Sequence, residues 1–444
     1  MPKFKLRYYL LILSLLSVFA CSNKEKTYDK TKAISAFEMI DHLKVDGSLK
    51  NIEIKIPAQQ ENKLWYGFDN EQNNKIENVA FDFAEKKFLK YEDEIWSGFN
   101  YKFDDRFVFS PIITGDKIFL LDSSGILEAR DLKSKKKIWK TRIFPRNLLK
   151  NYQLPKISFF NNKIFAIIGI NKISAINQED GKIIWSKDLA TIPISTPIAN
   201  HELLYFTTND NKLYALKITD GSLQWIHSGI NRPAGIFGAA NPVIYKESVI
   251  VSYSSGEIYS VNKKTGESIW VEDLNLNRAV SSDFYLNDID ATPVVKNDVV
   301  YSIGNGGFMK AIDAKTSAVL WKKEIAGIVD FWLAGDFLYV INNDNKLAAL
   351  YKKTGGIKWI VELPNLKKEK KPQTKVIYSG VIMAGGKLLI SNTDGKILII
   401  SPFDGKIEKT YKVGSKIFHS PIIVNKKIYL HTLGSYIISL FELN

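Results

Sequence analysis

The chain has 444 residues, of which 45% are hydrophobic and 12% aromatic, and its formal net charge at pH 7 is +14. A chain this apolar can bury a large core, so the composition excludes wholesale disorder. The lysines that produce the charge are scattered through turn-like segments rather than gathered on one segment, which argues against nucleic-acid binding.

The N-terminus has the pattern of a secretion signal. Three basic residues precede an apolar run over 8–20, which is too short to span a bilayer comfortably. Cys21, the only cysteine, follows this run directly, and the junction resembles a bacterial lipobox, although Phe19 replaces its usual small residue. The resemblance implies a signal peptide over 1–20, cleavage before Cys21, and acylation of that cysteine, including palmitate. Ser22 follows it, and in bacterial lipoproteins a non-acidic residue there points to the outer membrane. An ordinary secretion signal with an incidental cysteine is the alternative.

The next segment, residues 21–60, is mostly polar. It predicts an acylated cysteine followed by a tether, with the folded domain over 61–444. No later segment is long and apolar enough to span a membrane as a helix, so the pattern favours a protein tethered to the membrane rather than embedded in it.

A turn segment that ends in tryptophan recurs along the rest of the chain. Seven copies are present, and the last has Lys409 in place of the tryptophan. The other six end at Trp139, Trp185, Trp225, Trp270, Trp321 and Trp359. A period near 45 residues with four short strands in each unit is typical of a β-propeller.

Each unit divides into four strands. In the fifth unit the strands are predicted over 291–296, 298–304, 307–313 and 318–324, and an Asp/Thr-Gly turn joins the last two in most units. A tryptophan at a fixed place on the outer strand can fill the wedge between neighbouring blades. We therefore interpret these tryptophans as structural.

The number of units predicts a closed ring. Seven full units are followed by an eighth that begins at Pro421 and stops after three strands. The segment 87–96 could supply the missing outer strand and place Trp96 in the tryptophan position, which would leave no open sheet edge. The predicted fold is thus an all-β, eight-bladed propeller of four-stranded antiparallel blades, closed by an N-terminal strand in the last blade. Seven blades is the alternative.

The turn segments, with the pattern D/N-x-x-T/D-G-x-x-x-W, resemble the PQQ-like propeller repeats. That family contains both quinoprotein dehydrogenases and non-enzymatic scaffolds. With the lipobox-like start and eight repeats, the chain resembles the propeller lipoproteins of the outer-membrane β-barrel assembly (BAM) machinery, from about residue 90 to the end. The most specific segments are 228–243 and 286–325. The two loops that the resemblance implies in partner binding are 228–243 and 283–292, which belong to the long inserts where the repeats differ.

This resemblance implies a non-enzymatic scaffold on the periplasmic face of the outer membrane. Its implied partners are the POTRA domains of BamA, other BAM subunits and, as an open question, nascent outer-membrane strands. The implied contact residues are Ile230, Arg232, Asp288 and Asp290. An arginine on a connecting loop offers a planar set of donors to a partner. The two aspartates could instead be turn caps.

Two other functional classes remain as alternatives. A quinoprotein dehydrogenase would be expected to have a bound calcium ion and, commonly, adjacent cysteines. The chain has one cysteine, and no cluster of carboxylates with the spacing of calcium ligands stands out. The five histidines are isolated in sequence, so no zinc site or triad is visible. We therefore predict no catalytic, cofactor-binding or metal-binding residues. A periplasmic ligand-binding propeller is the other alternative.

Overall fold

The structure is a computed structural model of the full chain. It describes residues 43–66, 76–83, 90–96, 111–121, 125–143, 156–168, 171–230, 240–275, 289–364, 376–413, 415–417, 419–432 and 436–441. The predictions for Cys21, Arg232 and Asp288, and for the side chain of Trp96, lie outside this description. All described residues belong to one compact unit, Leu43–Asn444.

The described part of the chain consists of 33 strands and one 3-10 turn, Gly47–Leu49. The strands that precede the repeats are β1 (Leu64–Trp65) and β2 (Lys90–Trp96). Blades 1 to 4 contain, in order, β3 (Ile112–Thr114), β4 (Lys117–Leu121), β5 (Ile126–Asp131), β6 (Lys137–Arg142); β7 (Lys156–Phe160), β8 (Lys163–Ile168), β9 (Lys172–Asn177), β10 (Ile183–Asp188); β11 (Ile198–Ala199), β12 (Leu203–Thr208), β13 (Lys212–Lys217), β14 (Leu223–Ser228); β15 (Val243–Tyr245), β16 (Ser248–Ser252), β17 (Glu257–Asn262), β18 (Ser268–Asp273). Blades 5 to 8 contain β19 (Val294–Lys296), β20 (Val299–Ile303), β21 (Phe308–Asp313), β22 (Val319–Glu324); β23 (Trp332–Ala334), β24 (Phe337–Ile341), β25 (Lys346–Tyr351), β26 (Ile357–Glu362); β27 (Ile382–Ala384), β28 (Lys387–Ser391), β29 (Lys396–Ile400), β30 (Ile407–Lys412); β31 (Ile422–Val424), β32 (Lys427–Thr432), β33 (Tyr436–Phe441).

These strands form eight separate antiparallel sheets, and in the sheets of blades 1 to 7 the strands lie in chain order from one side to the other. Seven sheets have four strands, and the first has a fifth because β1 pairs with β3. The predicted all-β, eight-bladed propeller is confirmed. In blade 8 the strand order is β2-β33-β32-β31, and Lys90 pairs with Phe441.

The repeated tryptophan lies at the joint between successive blades. The Trp139 indole Nε1 donates to the Gln178 carbonyl of the next blade at 2.9 Å, and a Cβ added at Gly181 would come within 2.5 Å of the Trp139 ring. An equivalent hydrogen bond, from the indole Nε1 to a backbone carbonyl of the next blade, is made by Trp185, Trp270, Trp321 and Trp359. The turn glycine of one blade therefore leaves room for the tryptophan of the blade before it, which explains why the two residues recur together.

A second joint links the blades at their first strands. Thr196, Asn241, Thr292 and Asp330 each stand two residues before such a strand. The backbone N–H of Thr196 donates to Asn241 Oδ1 at 2.7 Å, and the N–H of Thr292 donates to Asp330 Oδ1 at 2.8 Å. Asn241 Nδ2 also donates to Thr292 Oγ1 at 3.2 Å. Side chains at one repeated position thus connect blades 3 to 6 in series.

The segment before the repeats packs against the blades rather than standing apart as a tether. Asn62 Nδ2 donates to the Ile423 carbonyl at 2.8 Å, and the Trp332 indole donates to the Glu77 carbonyl at 2.7 Å. Val79 forms a parallel bridge with Ala384. The compact unit begins at Leu43, so the last part of the predicted tether, 43–60, belongs to the folded unit.

Replacing Asp330 by asparagine tests the second joint through the pH dependence of the protein's stability. Burial raises the pKa of the Asp330 carboxyl above its usual range, against the lowering effect of the Thr292 hydrogen bond. A raised folded-state pKa means that the wild type loses stability as pH rises through that pKa, whereas asparagine does not titrate. The stability of the Asp330→Asn variant relative to the wild type should therefore rise between about pH 4 and pH 7 in urea titrations.

A carboxyl with the opposite shift provides the control. Hydrogen bonds from Ser134 hold the pKa of Asp131 below its usual range, so the wild type gains stability as pH rises through that lowered pKa to the unfolded-state pKa. Asp131→Asn should therefore lose stability relative to the wild type between about pH 2 and pH 5 and change little above that. Equal pH dependence in the two variants would contradict the assignment of Asp330.

Candidate partner-binding site

The two segments predicted to bind a partner are in contact with each other. The backbone N–H of Ala240, near the end of segment 228–243, donates to the Ile289 carbonyl at 3.3 Å. Asn241, one residue further on, bonds to Thr292. The connections between blades 3 and 4 and between blades 4 and 5 therefore end side by side.

Asn211 holds the beginning of the first segment. It stands in the hairpin between β12 and β13 with a left-handed backbone, φ 54°, which asparagine tolerates better than most residues. Its Nδ2 donates to the Ile230 carbonyl at 2.7 Å, and its own carbonyl accepts from the N–H of Gly229 at 2.8 Å. Its Oδ1 accepts from the Ser254 hydroxyl at 2.8 Å, so one buried side chain links three loops.

An aromatic group lies beneath this loop. His227 and Tyr253 stack with ring centroids 5.9 Å apart, and Tyr259 meets the His227 ring edge-on at 4.9 Å. His227 Nδ1 is 2.8 Å from the Tyr253 hydroxyl, and its Nε2 is 2.8 Å from the Ser268 hydroxyl. A Cβ added at Gly229 would lie 2.4 Å from the Tyr253 ring, so the loop backbone rests directly on this group.

The His227 imidazole is a structural group in this setting. Burial lowers its pKa, and both ring nitrogens have hydrogen-bond partners. The neutral ring therefore supports the loop. Among the described residues, no group of three or more His, Cys, Asp or Glu side chains is placed to hold a metal ion.

The structure describes two of the four predicted contact residues. Ile230 is 48% exposed, so a large apolar side chain faces solvent next to the Asn211 anchor. Asp290 is partly buried and lines a small cleft together with Asn211 and Tyr253. Asn211 therefore bonds to the backbone of Ile230 and lines the same cleft as Asp290. This arrangement offers an apolar contact and a carboxylate on a rigid base.

Sequence reasoning missed Asn211 and treated His227 as one of five isolated histidines. The available signal for Asn211 was the turn "NDNK" (209–212), because an asparagine before the next strand marks a left-handed turn position. No sequence signal joined His227 to Tyr253, because the two residues lie on different blades.

Comparison with known proteins agrees with this architecture. A family model described as outer membrane protein assembly factor BamB matches residues 154–361. BamB of Yersinia pestis is 25% identical over 330 residues, which is 72% of this chain and 81% of that protein. BamB of Moranella endobia is 23% identical over 328 residues, 72% of this chain and 81% of that protein.

Solved structures show the same fold. The crystal structure of BamB from Moraxella catarrhalis superposes with a TM-score of 0.65 at 16% identity, covering 78% of this chain and 99% of that one. A europium-containing methanol dehydrogenase superposes with a TM-score of 0.61 at 13% identity, covering 84% of this chain and 89% of that one. The predicted resemblance to PQQ-like repeats and to BamB is confirmed, whereas the likeness to the dehydrogenase is one of fold alone.

Proposed function

Because the chain resembles outer membrane protein assembly factor BamB in sequence and fold, we propose that it is a non-catalytic scaffold for the assembly of outer-membrane β-barrel proteins. In this proposal Cys21 is acylated and anchors the chain to the periplasmic face of the outer membrane. No helix within the described ranges is long and apolar enough to cross a bilayer.

We propose the segments around Asn211 as the docking surface for the POTRA domains of BamA. The observation that carries this assignment is the direct contact between the two predicted segments, through Ala240 and Ile289. A surface held in place by buried hydrogen bonds loses little conformational entropy on binding. Ile230 would supply the apolar contact, and Arg232, Asp288 and Asp290 would supply polar contacts around it.

A binding assay with purified POTRA domains of the partner from the same cell tests this proposal. Ile230→Asp places a charge in the apolar contact, and Arg232→Ala with Asp288→Ala removes polar groups; each variant should weaken binding about tenfold or more. The measurement is the Kd of the full chain by surface plasmon resonance, with circular dichroism to verify folding.

Ile269→Asp provides a matched control. Ile269 is 51% exposed, close to the 48% of Ile230, but it lies on an outer strand instead of this loop. It should bind as the wild type does. Equal binding by all variants would place the docking surface elsewhere, and no binding by the wild type would refute the proposed docking on POTRA domains.

A further inference from the structure

The outer strands of several blades present an apolar residue to solvent at one repeated position, two residues before the blade tryptophan. Ile183 in blade 2 is 43% exposed, Leu223 in blade 3 is 53% exposed and Val319 in blade 5 is 39% exposed. The equivalent residue of blade 6, Ile357, is fully buried. Four equivalent apolar residues therefore differ in what covers them.

The residue of blade 6 is covered by the chain's own N-terminal segment. Val45 forms a parallel bridge with Ile357, and the N–H of Asp46 donates to the Ile357 carbonyl at 2.8 Å. The Lys358 ammonium group then donates to the Leu49 carbonyl at 2.6 Å. An extended segment has thus been added to the outer edge of this blade, in the way that a peptide adds to an open sheet edge.

Gly356 explains why the segment uses blade 6. A Cβ at this position would lie 2.7 Å from Asp46 Oδ2 and 3.1 Å from Leu49 Cδ1. Both atoms are the ends of flexible side chains, so the segment can adjust to a small residue here, whereas a long side chain would obstruct it. The equivalent residues of the other described blades, from blade 1 to blade 5 and in blade 7, are Lys136, Lys182, Ser222, Glu267, Ala318 and Lys406. Among the described side chains at this position in these six blades, only those of blades 3 and 5 combine a small residue with an exposed apolar residue after it.

The outer strands limit how much can be added. In blades 3, 5 and 6 the pairing register of the outer strand shifts between the apolar residue (Leu223, Val319 or Ile357) and the tryptophan two residues later, which marks a β-bulge. Bulges on edge strands prevent long edge-to-edge pairing. The contact in blade 6 is correspondingly short, with one parallel bridge and one backbone hydrogen bond before the chain turns away at Gly47–Leu49.

We propose that the outer edges of blades 3 and 5 bind short extended segments of an unfolded polypeptide, in the parallel arrangement that blade 6 shows with Val45 and Asp46. The apolar side chain of the segment would pack on Leu223 or Val319, as the chain's own segment covers Ile357. Strands of outer-membrane barrels alternate apolar and polar residues and fit such a site. This choice of occupant rests on the proposed function, whereas the binding mode rests on the edges themselves.

Photo-crosslinking tests the inference. p-Benzoylphenylalanine is placed, one site at a time, at Gln224 of blade 3, at Leu320 of blade 5 and at the equivalent Glu408 of blade 7, and the full chain is mixed with a urea-unfolded eight-stranded outer-membrane barrel as the probe. Blade 7 has Lys406 at the position before its apolar residue, so it is the matched control. Crosslinking should be several-fold stronger at Gln224 and Leu320 than at Glu408.

A second set of variants blocks each edge separately. Ser222→Lys and Ala318→Lys introduce the residue that blades 1, 2 and 7 already carry at this position, so the fold should be retained. Each should abolish crosslinking at its own blade and leave the other blade unchanged. Equal crosslinking at all three sites, or crosslinking that persists in the lysine variants, would overturn the inference.

The same variants separate this inference from the proposed docking surface. Ser222→Lys and Ala318→Lys should bind POTRA domains as the wild type does, because neither residue lies in segments 228–243 or 283–292. Loss of POTRA binding only in Ile230→Asp, together with loss of crosslinking only in the lysine variants, would show two independent sites. Failure of POTRA binding by the wild type with intact edge crosslinking would refute the docking proposal alone.

Discussion

Replacing Trp359 by alanine is expected to lower the free energy of unfolding by about 3–5 kcal/mol. The side chain is 8% exposed, and its ring lies 6.0 Å from that of Tyr339. Its Nε1 donates to the Pro402 carbonyl of the next blade at 2.9 Å. Truncation would leave a cavity at the joint between blades 6 and 7, with an unpaired carbonyl on its wall.

The conservative change to phenylalanine separates packing from hydrogen bonding. Trp359→Phe removes the donor to Pro402, whereas the indole N–H of Trp225 is buried and finds no acceptor among the described residues. Trp359→Phe should therefore cost about 1 kcal/mol more than Trp225→Phe in urea unfolding. Equal costs would show that the hydrogen bond contributes nothing to the joint.

Replacing Gly355 by alanine is expected to cost about 2–5 kcal/mol. The residue has φ +70°, a conformation that is unfavourable for residues with a Cβ, and the added Cβ would lie 2.5 Å from Cε3 of Trp321. The glycine turn and the tryptophan of the preceding blade would then have to separate. The measurement is again the free energy of unfolding in urea.

Blade 5 supplies the matched control for this substitution. Ser317 occupies the equivalent turn position, with φ 64°. Ser317→Gly relieves the backbone strain of the folded state, which raises the free energy of unfolding. It also increases the conformational entropy of the unfolded chain, which lowers the free energy of unfolding by a similar amount, so the net change should be within about 1 kcal/mol of zero. A large loss in this variant, or none in Gly355→Ala, would contradict the role assigned to the turn.

These predictions depend on the contact between a turn glycine and a tryptophan, which was only partly visible in the sequence. The recurrence of glycine and tryptophan in one turn was visible, and it was sufficient to predict an eight-bladed propeller. The pattern also predicted that each tryptophan lies between neighbouring blades, but it did not say which residue of the neighbour the ring meets. The structure shows that Gly355 lies against Trp321, which belongs to the unit before it.

The candidate site was predictable to a smaller extent. Segments 228–243 and 283–292 stood out because they interrupt the repeat, and Ile230 could be named from a resemblance. Asn211, which holds Ile230, is 19 residues away in sequence and on a different loop. No local pattern relates these residues, because the hydrogen bond depends on how two loops of one blade come together.

Hydrophobic periodicity and turn residues are local properties, and they were enough to specify the strands, the number of blades and the positions of the repeated tryptophans. The contacts between blades join residues that are about 30 to 60 positions apart in sequence. They depend on how each blade packs against its neighbour, which no local sequence pattern contains. The same reason applies to the N-terminal segment: Val45 and Ile357 are 312 residues apart, and the room that Gly356 leaves for their contact is visible only in the folded blade.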